Sequence, residues 1–324
     1  MRKVVLIDIG KKIGGGQVES RVIYNSLREY CPAFICHPQN KLFFGIKNNF
    51  ISVWLKNLAS SKTILVFNQR SLLFSLFIFP FCKRRIFIIQ SFPPKKSWLI
   101  KYLIKKCKTF TFNSELTKAA WTNDFPDLID RSSNVIYSPF DRCDLIVKNS
   151  DINQRQNSNN PLQVMFVGRA MPRKNFPLFI SALVNMRIPY DAHIYGDQKD
   201  CFERLREWSV EERNVLESCH FHGFINDKDK MYADKDVLVL PTTDEPFGRV
   251  HIEAYVNLVP SICLGRPGAK EIIEDNIKVV APTSAALARA LEGFYEESHE
   301  VKFDVEKLAK IDSQKVSSIL KTLL

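Results

Sequence analysis

The chain has 324 residues, 45% hydrophobic and 25% charged, the composition of a globular protein long enough for two full cores. Its eight cysteines never occur as C-x-x-C and no secretory signal opens the chain, so a disulfide framework is set aside and free thiols in a reducing compartment are expected. The net charge of +11 is uneven: residues 1–148 hold 24 Lys/Arg against 9 Asp/Glu, whereas residues 149–324 hold 22 against 26. Only the first half asks for an anionic partner, a nucleic acid or a membrane surface.

Apolar runs near 3–9, 33–36, 63–67, 86–90, 109–113 and 134–137 read as strands, with helical patterns over 18–30, 71–81, 97–107 and 115–121 between some of them. That alternation predicts a doubly wound parallel sheet, a first Rossmann-like domain over 1–148. Gly14-Gly15-Gly16 follows the first strand and opens the first helix, where adjacent glycines let the backbone approach a phosphate. The spacing is not G-x-G-x-x-G, and the second strand runs into His37-Pro38-Gln39 with no acid for a ribose, so a nicotinamide nucleotide is not expected.

Leu72–Cys82 is almost wholly apolar and precedes Lys83-Arg84-Arg85. It is shorter than the roughly 20 residues a bilayer requires and reads as a helix covering the sheet. Between Lys95 and Lys108, a helical wheel places Leu99, Ile100, Leu103 and Ile104 on one side. Lys101, Lys105 and Lys108 fall opposite, bordered by Trp98 and Tyr102, and Lys95 and Lys96 lead in. Lysines flanked by Trp and Tyr suit the head-group layer of an anionic membrane. No nucleic-acid motif accompanies the basic residues, so no nucleic-acid partner is expected.

Residues 149–160 are polar and predict an exposed linker. A second alternation over 161–304 follows, with strands near 162–167, 192–195, 220–224, 237–240, 261–264 and 278–280. Helices fall near 176–186, 202–217, 249–257, 269–274 and 285–295, and the tail 305–324 is helical. The fold class expected is α/β, two Rossmann-like doubly wound parallel-sheet domains facing a cleft, with a C-terminal helix.

Three motifs in the second half bear chemistry. Arg169 and Lys174 follow its first strand, where two cations suit a diphosphate and the charge that grows on it as it leaves. Asp227/Asp229 and Asp234/Asp236 have the Asp-x-Asp spacing of a metal site, but the first pair opens a helix and the second precedes its strand. Both read as structural, and His220 with His222 lacks a third ligand, so no metal is expected. The third motif runs from Pro241 to Ala254. A buried strand ends there, Pro246 and Gly248 mark a turn, and a helix begins, with Glu245 on the loop and Glu253 a turn and a half into the helix. Beside an anion site at a helix start, such carboxylates suit the neutral hydroxyls attached to a phosphate, as in a sugar nucleotide. A simple Arg249–Glu253 helical pair is the plainer alternative.

Together these residues resemble the retaining GT-B glycosyltransferases of family four, also called glycosyl transferases group 1. The resemblance covers most of the chain and is strongest from Val164 to Glu274. The family's paired-glutamate motif corresponds to Glu245 and Glu253, and its G-R-x-x-x-x-K loop to Gly168, Arg169 and Lys174. Its F-x-G strand end corresponds to Phe221 and Gly223 with Ile225 beside them, and its N-S strand end to Asn113-Ser114. Its inter-domain strand is altered here to Ile136-Tyr137-Ser138-Pro139-Phe140-Asp141.

The resemblance implies a UDP- or GDP-linked sugar held mainly by the second domain, with no metal cofactor. Arg169 and Lys174 would grip the diphosphate, Glu253 would take the ribose hydroxyls and Ile225 would lie along the base. Glu245 and the backbone of Phe247, Gly248, Arg249 and Val250 would meet the transferred sugar and its phosphate, with Gly15 and Gly16 closing from the first domain. It further implies transfer with retention to a lipid-linked or cell-surface glycan, of lipopolysaccharide, O-antigen or capsule type, by a peripheral protein on the cytoplasmic face of the cell membrane. Gln90 stands where many relatives carry a histidine, and Asn175 where they carry a glycine. A soluble synthase of the same fold and a binding protein that has lost turnover are the alternatives.

Overall fold

The structure, a computed structural model, describes residues 3–8, 15–36, 62–78, 82, 84–94, 98–126, 132–146, 160–170, 174–197, 208–297 and 301–323. The chain divides into two compact units, residues 1–145 with 306–324, and residues 146–305. The first holds strands β1 (Lys3–Ile7), β2 (Ala33–Cys36), β3 (Lys62–Val66), β4 (Arg84–Ile89), β5 (Thr109–Phe112) and β6 (Ser132–Val135), all parallel in the order β2-β1-β3-β4-β5-β6. Helices Gly15–Arg28, Gln69–Ile78, Trp98–Lys105 and Glu115–Asp124 connect them.

A sheet covered on both faces produces the unbroken apolar runs seen in the sequence. Val5 and Ile7 of β1 face a cluster with Ile64, Phe87, Phe110 and Trp121, while Val4 and Leu6 face Ile23, Leu65, Ile86 and Ile88. The apolar helix Gln69–Ile78 covers the first face with Leu72, as its composition predicts. The apolar side of the helix Trp98–Lys105 is taken up by the protein itself. Ile100, Leu103 and Ile104 are buried in that same cluster, leaving Trp98, Leu99 and Tyr102 outward. No described helix is long and apolar enough to cross a membrane.

The last residues belong with the first unit. Phe140 and Asp312 form an isolated parallel bridge, with the Phe140 N–H donating to Ile311 O at 2.9 Å and the Ser313 N–H to Phe140 O at 3.0 Å. The helix Ser313–Leu323 then places Val316 and Leu320 in the cluster under β1, and Arg84 donates to the Leu323 carbonyl at 2.6 Å. An amphipathic period marks which side of a helix is buried, not which domain buries it.

The second unit holds β7 (Leu162–Val167), β8 (Tyr190–Tyr195), β9 (His220–Gly223), β10 (Val237–Leu240), β11 (Ser261–Cys263) and β12 (Ile277–Val279), parallel in the order β12-β11-β10-β7-β8-β9. From β7 the chain moves outward through β8 and β9, then returns to place β10 on the other side of β7. The following helices lie on opposite faces. Phe176–Val184 buries Phe176, Phe179 and Ile180 against Val164 and Phe166, whereas Arg249–Val256 buries Ala254 against Met165 and Leu238. The carboxyl ends of β7 and β10 are therefore a topological switch point, where the backbones part and leave a crevice.

Two elements differ from expectation here. The pattern over 269–274 forms two short 3₁₀ turns, Gly268–Glu271 and Glu274–Asn276, because Lys270 Nζ donates to the carbonyls of Glu274 at 2.6 Å and Ile277 at 2.9 Å and folds the segment back. Where a helix is expected over 202–217, the described residues form the helix Val210–Ser218, started by a capping box between Ser209 and Glu212, and 202–207 lie outside the described residues. The expected linker 149–160 lies outside the described residues except for Asn160.

If the tail completes the first core, Leu320→Ala lowers unfolding free energy by about 2–4 kcal/mol. Ile319→Ala, on the outward side at 37% exposure, changes it by less than about 0.5 kcal/mol. Urea titration of both variants is the measurement, and equal midpoints would contradict this placement of the tail.

Candidate functional site

The crevice at β7 and β10 collects the charged residues singled out in the sequence. After β7, Gly168 takes φ 148° and its N–H donates to Tyr195 O at 2.9 Å, and Arg169 follows half-exposed. Lys174 and Asn175 lead into the helix Phe176–Val184. Asn175 sits in the left-handed region, φ 50° and ψ 33°, which accounts for an asparagine in a glycine's place, since asparagine tolerates that conformation best among other residues.

After β10, Glu245 turns back toward β7, and its Oε2 accepts from Lys174 Nζ at 2.6 Å. The two side chains are 16% and 21% exposed, enough for a ligand to reach and too little for water to screen the pair fully. Gly248 then adopts φ 85° as the N-cap of Arg249–Val256, with no capping side chain. A Cβ there would stand 2.8 Å from His251 Cδ2 and 3.0 Å from Glu245 Cγ, so the turn requires glycine twice over. First-turn N–H groups of such a helix, with the positive end of its dipole, favour an anion. Glu253, one turn in, is 14% exposed and accepts from Lys228 Nζ at 2.8 Å through Oε1. A lysine from another helix thus supplies the cation that an i, i+4 pairing would have taken from Arg249.

Beneath the turn lies His251, fully buried. Ser261 Oγ lies 3.4 Å from the Asn276 carbonyl, to which it donates, so it accepts from His251 Nδ1–H at 2.9 Å. That leaves Nε2 bearing the lone pair, buried and without a hydrogen-bond partner. Burial first, and the Lys174 ammonium second, push this imidazole down to about 3. Tyr232 is also fully buried and is pushed well up, by burial and then by the nearby Glu253 carboxylate, while its hydroxyl donates to Val250 O at 3.3 Å.

The loop from Pro241 is tied to its neighbour after β11. The Gly265 N–H donates to Thr242 O at 3.1 Å and the Ala269 N–H to Phe247 O at 2.7 Å. A Cβ on Gly265 would sit 1.9 Å from the Thr243 carbonyl oxygen. Ile225, after β9, packs half-buried beside Tyr232 and Val250. The site's aliphatic wall, its two carboxylates and its cations thus belong to one unit. Gly15 and Gly16 open the helix Gly15–Arg28 of the other, and Gly14 lies outside the described residues.

Residues 147–312, just over half of the chain, match the family described as glycosyl transferases group 1. The chain belongs to this family. It is 26% identical over 129 residues to an uncharacterized 41.2 kDa protein in the cps region of Klebsiella pneumoniae, a match covering 39% of this chain and 34% of that one. The matched segment therefore spans about a third of that relative's length. Among solved structures it is similar to Anabaena HepE in complex with UDP and glucose, with TM-score 0.77 and 19% identity over 100% of this chain and 99% of that chain. The lipopolysaccharide outer core galactosyltransferase WaaB in its apo form gives 0.70 and 16% over 99% and 98%. At such identities the likeness establishes the fold, two parallel-sheet Rossmann-like domains of the GT-B type.

Within this family member, the structure brings Lys174, Glu245, Phe247, Gly248, Arg249, Val250 and Glu253 onto the loops and helix of one switch point. Sequence reasoning missed Lys228, Tyr232, His251 and Gly265. Leu264-Gly265-Arg266-Pro267-Gly268 was a legible turn signal, while the others lacked any local mark. Asp227, read as a cap, does accept from Lys230 N at 3.3 Å, and Ser114 caps Glu115–Asp124 by accepting from Thr117 N at 3.0 Å. His220 and His222 share their face of the sheet with His193, whose Nδ1 lies 3.0 Å from His222 Nε2. Of the surface lysines, Lys101 and Lys105 are exposed beside Trp98, which is 79% exposed, and Lys95 and Lys96 lie outside the described residues.

The buried imidazole gives a pH dependence whose sign is fixed. His251 titrates near 3 when folded against an ordinary value of 6.5, so between those values the unfolded chain binds the proton and the folded chain does not. Stability is full above about pH 6.5 and falls as pH falls, by about 2–3 kcal/mol between pH 7 and 4.5 from this residue. His193, pushed to about 4 chiefly by burial, acts in the same direction. His251→Asn, which keeps a donor near Ser261 but does not titrate, flattens part of that loss in urea titrations at pH 7, 5.5 and 4.5.

Proposed function

We propose that the protein is a retaining, metal-independent glycosyltransferase. It moves a sugar from a UDP- or GDP-linked donor to a lipid-linked or surface-glycan acceptor at the cytoplasmic face of the membrane. The observation that carries this reading is the Lys174–Glu245 pair at the switch point, on the loop before an uncapped helix start whose helix carries Glu253. The family membership agrees with it, as does the binding of UDP and glucose by the structurally similar HepE. The acceptor class is suggested by the likeness to WaaB, a lipopolysaccharide outer core galactosyltransferase, and to the cps-region relative.

In this reading Arg169 and Lys174 bind the diphosphate and neutralise the charge that accumulates on it as the bond from the sugar's anomeric carbon to phosphate oxygen breaks. The acceptor oxygen bonds to the same face of that carbon, and its proton passes to the leaving phosphate oxygen. The anomeric carbon becomes oxocarbenium-like between these events, and Glu245 lies where a fixed negative charge stabilises it. Glu253 accepts from the ribose hydroxyls. The loop glycines and the helix start bring backbone N–H groups to the phosphates.

Membrane attachment is assigned to the outward edge of the helix Trp98–Lys105. Trp98, Leu99 and Tyr102 are exposed there among Lys101 and Lys105, with Lys106 Nζ 4.9 Å from the Tyr102 ring centroid. With the apolar side already buried, this is a shallow electrostatic and aromatic contact rather than an inserted helix.

Two measurements test these assignments. In a thermal-shift panel of UDP- and GDP-linked sugars, a donor that stabilises the wild type loses most of its effect on Glu253→Ala and on Lys174→Ala. Equal shifts in all three proteins would remove the donor-site assignment. Sedimentation with phosphatidylglycerol vesicles loses roughly tenfold or more in affinity when Lys95, Lys96, Lys101 and Lys105 are all changed to Gln, and unchanged binding would rule the surface out.

A further inference from the structure

The pairing of Glu253 is not accounted for by either the family motif or the chain's local needs. Its partner, Lys228, is the first residue of the helix Lys228–Tyr232, a position where a cation opposes the helix dipole. Asp227 already caps that helix, accepting from Lys230 N. Lys228 and Tyr232 are i, i+4 and so share one side of the helix, the side turned toward the helix that bears Glu253. Lys228 Nζ donates to Oε1 at 2.8 Å, and the buried Tyr232 hydroxyl donates to the Val250 carbonyl at 3.3 Å, close enough to the Glu253 carboxylate to feel its charge. The Glu253 side chain is 14% exposed, and its helix neighbours Val250 and Ala254 pack with Met165, Tyr195, Met231 and Tyr232.

We propose that Lys228 is a positioning residue of the donor site: it holds the Glu253 carboxylate in one orientation, to receive the two neighbouring hydroxyls of a ribose. This inference rests on the reading of Glu253 as the ribose acceptor given above. A carboxylate offers about four lone-pair directions, so a single lysine leaves room for a vicinal diol. A carboxylate that rotates freely would meet one hydroxyl at a time and discriminate poorly. The lysine also offsets a negative charge that would otherwise face an anionic nucleotide. An ordinary surface ion pair would do none of this and would leave nucleotide selectivity untouched.

The test is calorimetric titration of the full chain with UDP, GDP, dUDP and dGDP. The proteins are wild type, Lys228→Met, Lys228→Arg, Glu253→Gln and the Lys228→Met/Glu253→Gln double variant, with ligand-free thermal midpoints recorded for each. The wild type binds the ribonucleotide of one base about tenfold more tightly than its 2′-deoxy form. Lys228→Met reduces that ratio to about threefold or less, Lys228→Arg retains most of it, and the double variant is no weaker than Glu253→Gln alone. A Lys228→Met protein that keeps the wild-type ratio overturns the inference. If Glu253→Gln has meanwhile lost it, only the role of Lys228 falls. If Glu253→Gln keeps it too, or the wild type binds neither nucleotide, the donor-site reading falls with it. A fall in ligand-free midpoint with the ratio intact would make Lys228 structural and would equally overturn the positioning role.

Discussion

Everything in the second unit follows from one constraint, the parting of two parallel strands at their carboxyl ends. β7 and β10 run side by side in register, Val164 against Val237 and Phe166 against Val239, yet their following helices must cover opposite faces of the sheet. The backbone therefore diverges just where two loops begin. A residue on each loop can reach across the gap, and Lys174 and Glu245 do so. Sequence places them 71 positions apart, and topology makes them neighbours. Because the helix starts also point into that gap, it favours negative charge, and the proteins that use it must add side chains that tolerate or balance an anion.

Such a crevice works only if main chain can come close to its ligand. Three glycines provide for that, each at a place where the backbone is already crowded. Gly196 would put a Cβ 2.2 Å from the Gly168 carbonyl oxygen, Gly265 would put one 1.9 Å from that of Thr243, and Gly248 is boxed in by His251 and Glu245. Asn175 performs the same service on the β7 side with a side chain attached. His251 belongs to this arrangement. Its ring fills the space under Gly248 and is tied by Nδ1 to Ser261 at the start of β11, so the turn that bears Glu245 rests on the sheet.

Much of this was legible in the sequence because it is periodic or locally marked. Continuous runs such as Val4–Ile7 and Val237–Leu240 announce strands buried on both faces, and all twelve described strands lie within or beside predicted ones. The turn at Pro246–Gly248 and the two glutamates around it were visible because Pro and Gly punctuate the chain. What was not legible depends on packing between distant segments. Lys228 sits in a polar stretch, Asp227–Lys230, that reads as a solvated helix start, and nothing local says that its ammonium reaches residue 253. The tail helix shows its buried side but not that Val316 and Leu320 lie under β1. The helix Trp98–Lys105 has the pattern of a surface-seeking helix, and the same pattern serves a helix that packs on its own core, as Ile100, Leu103 and Ile104 do.

The two ion pairs of the site are alike in chemistry and opposite in setting, and that contrast bears on how the proposed reaction would run. Partly buried pairs contribute little net stability, since desolvation offsets most of the attraction, so neither is explained as a device for holding the fold. Lys228 is anchored on a capped helix, with Tyr232 one turn on tied to the Val250 carbonyl of the helix that bears Glu253. Lys174 stands on the loop side of its helix start, just before a left-handed asparagine, held to Glu245 by a single contact at 2.6 Å. An arriving diphosphate offers Lys174 a more highly charged partner than one carboxylate and does not compete for Lys228 in the same way. On the proposed reading the first pair opens as the donor binds and the second stays closed. Glu245, still near the Thr242 hydroxyl at 3.5 Å, is then left facing the sugar when positive charge develops there, and its contact with Lys174 is exchanged for the lysine's grip on the leaving group. One pair would thus act as a latch released by substrate, and the other as a fixed support for the ribose.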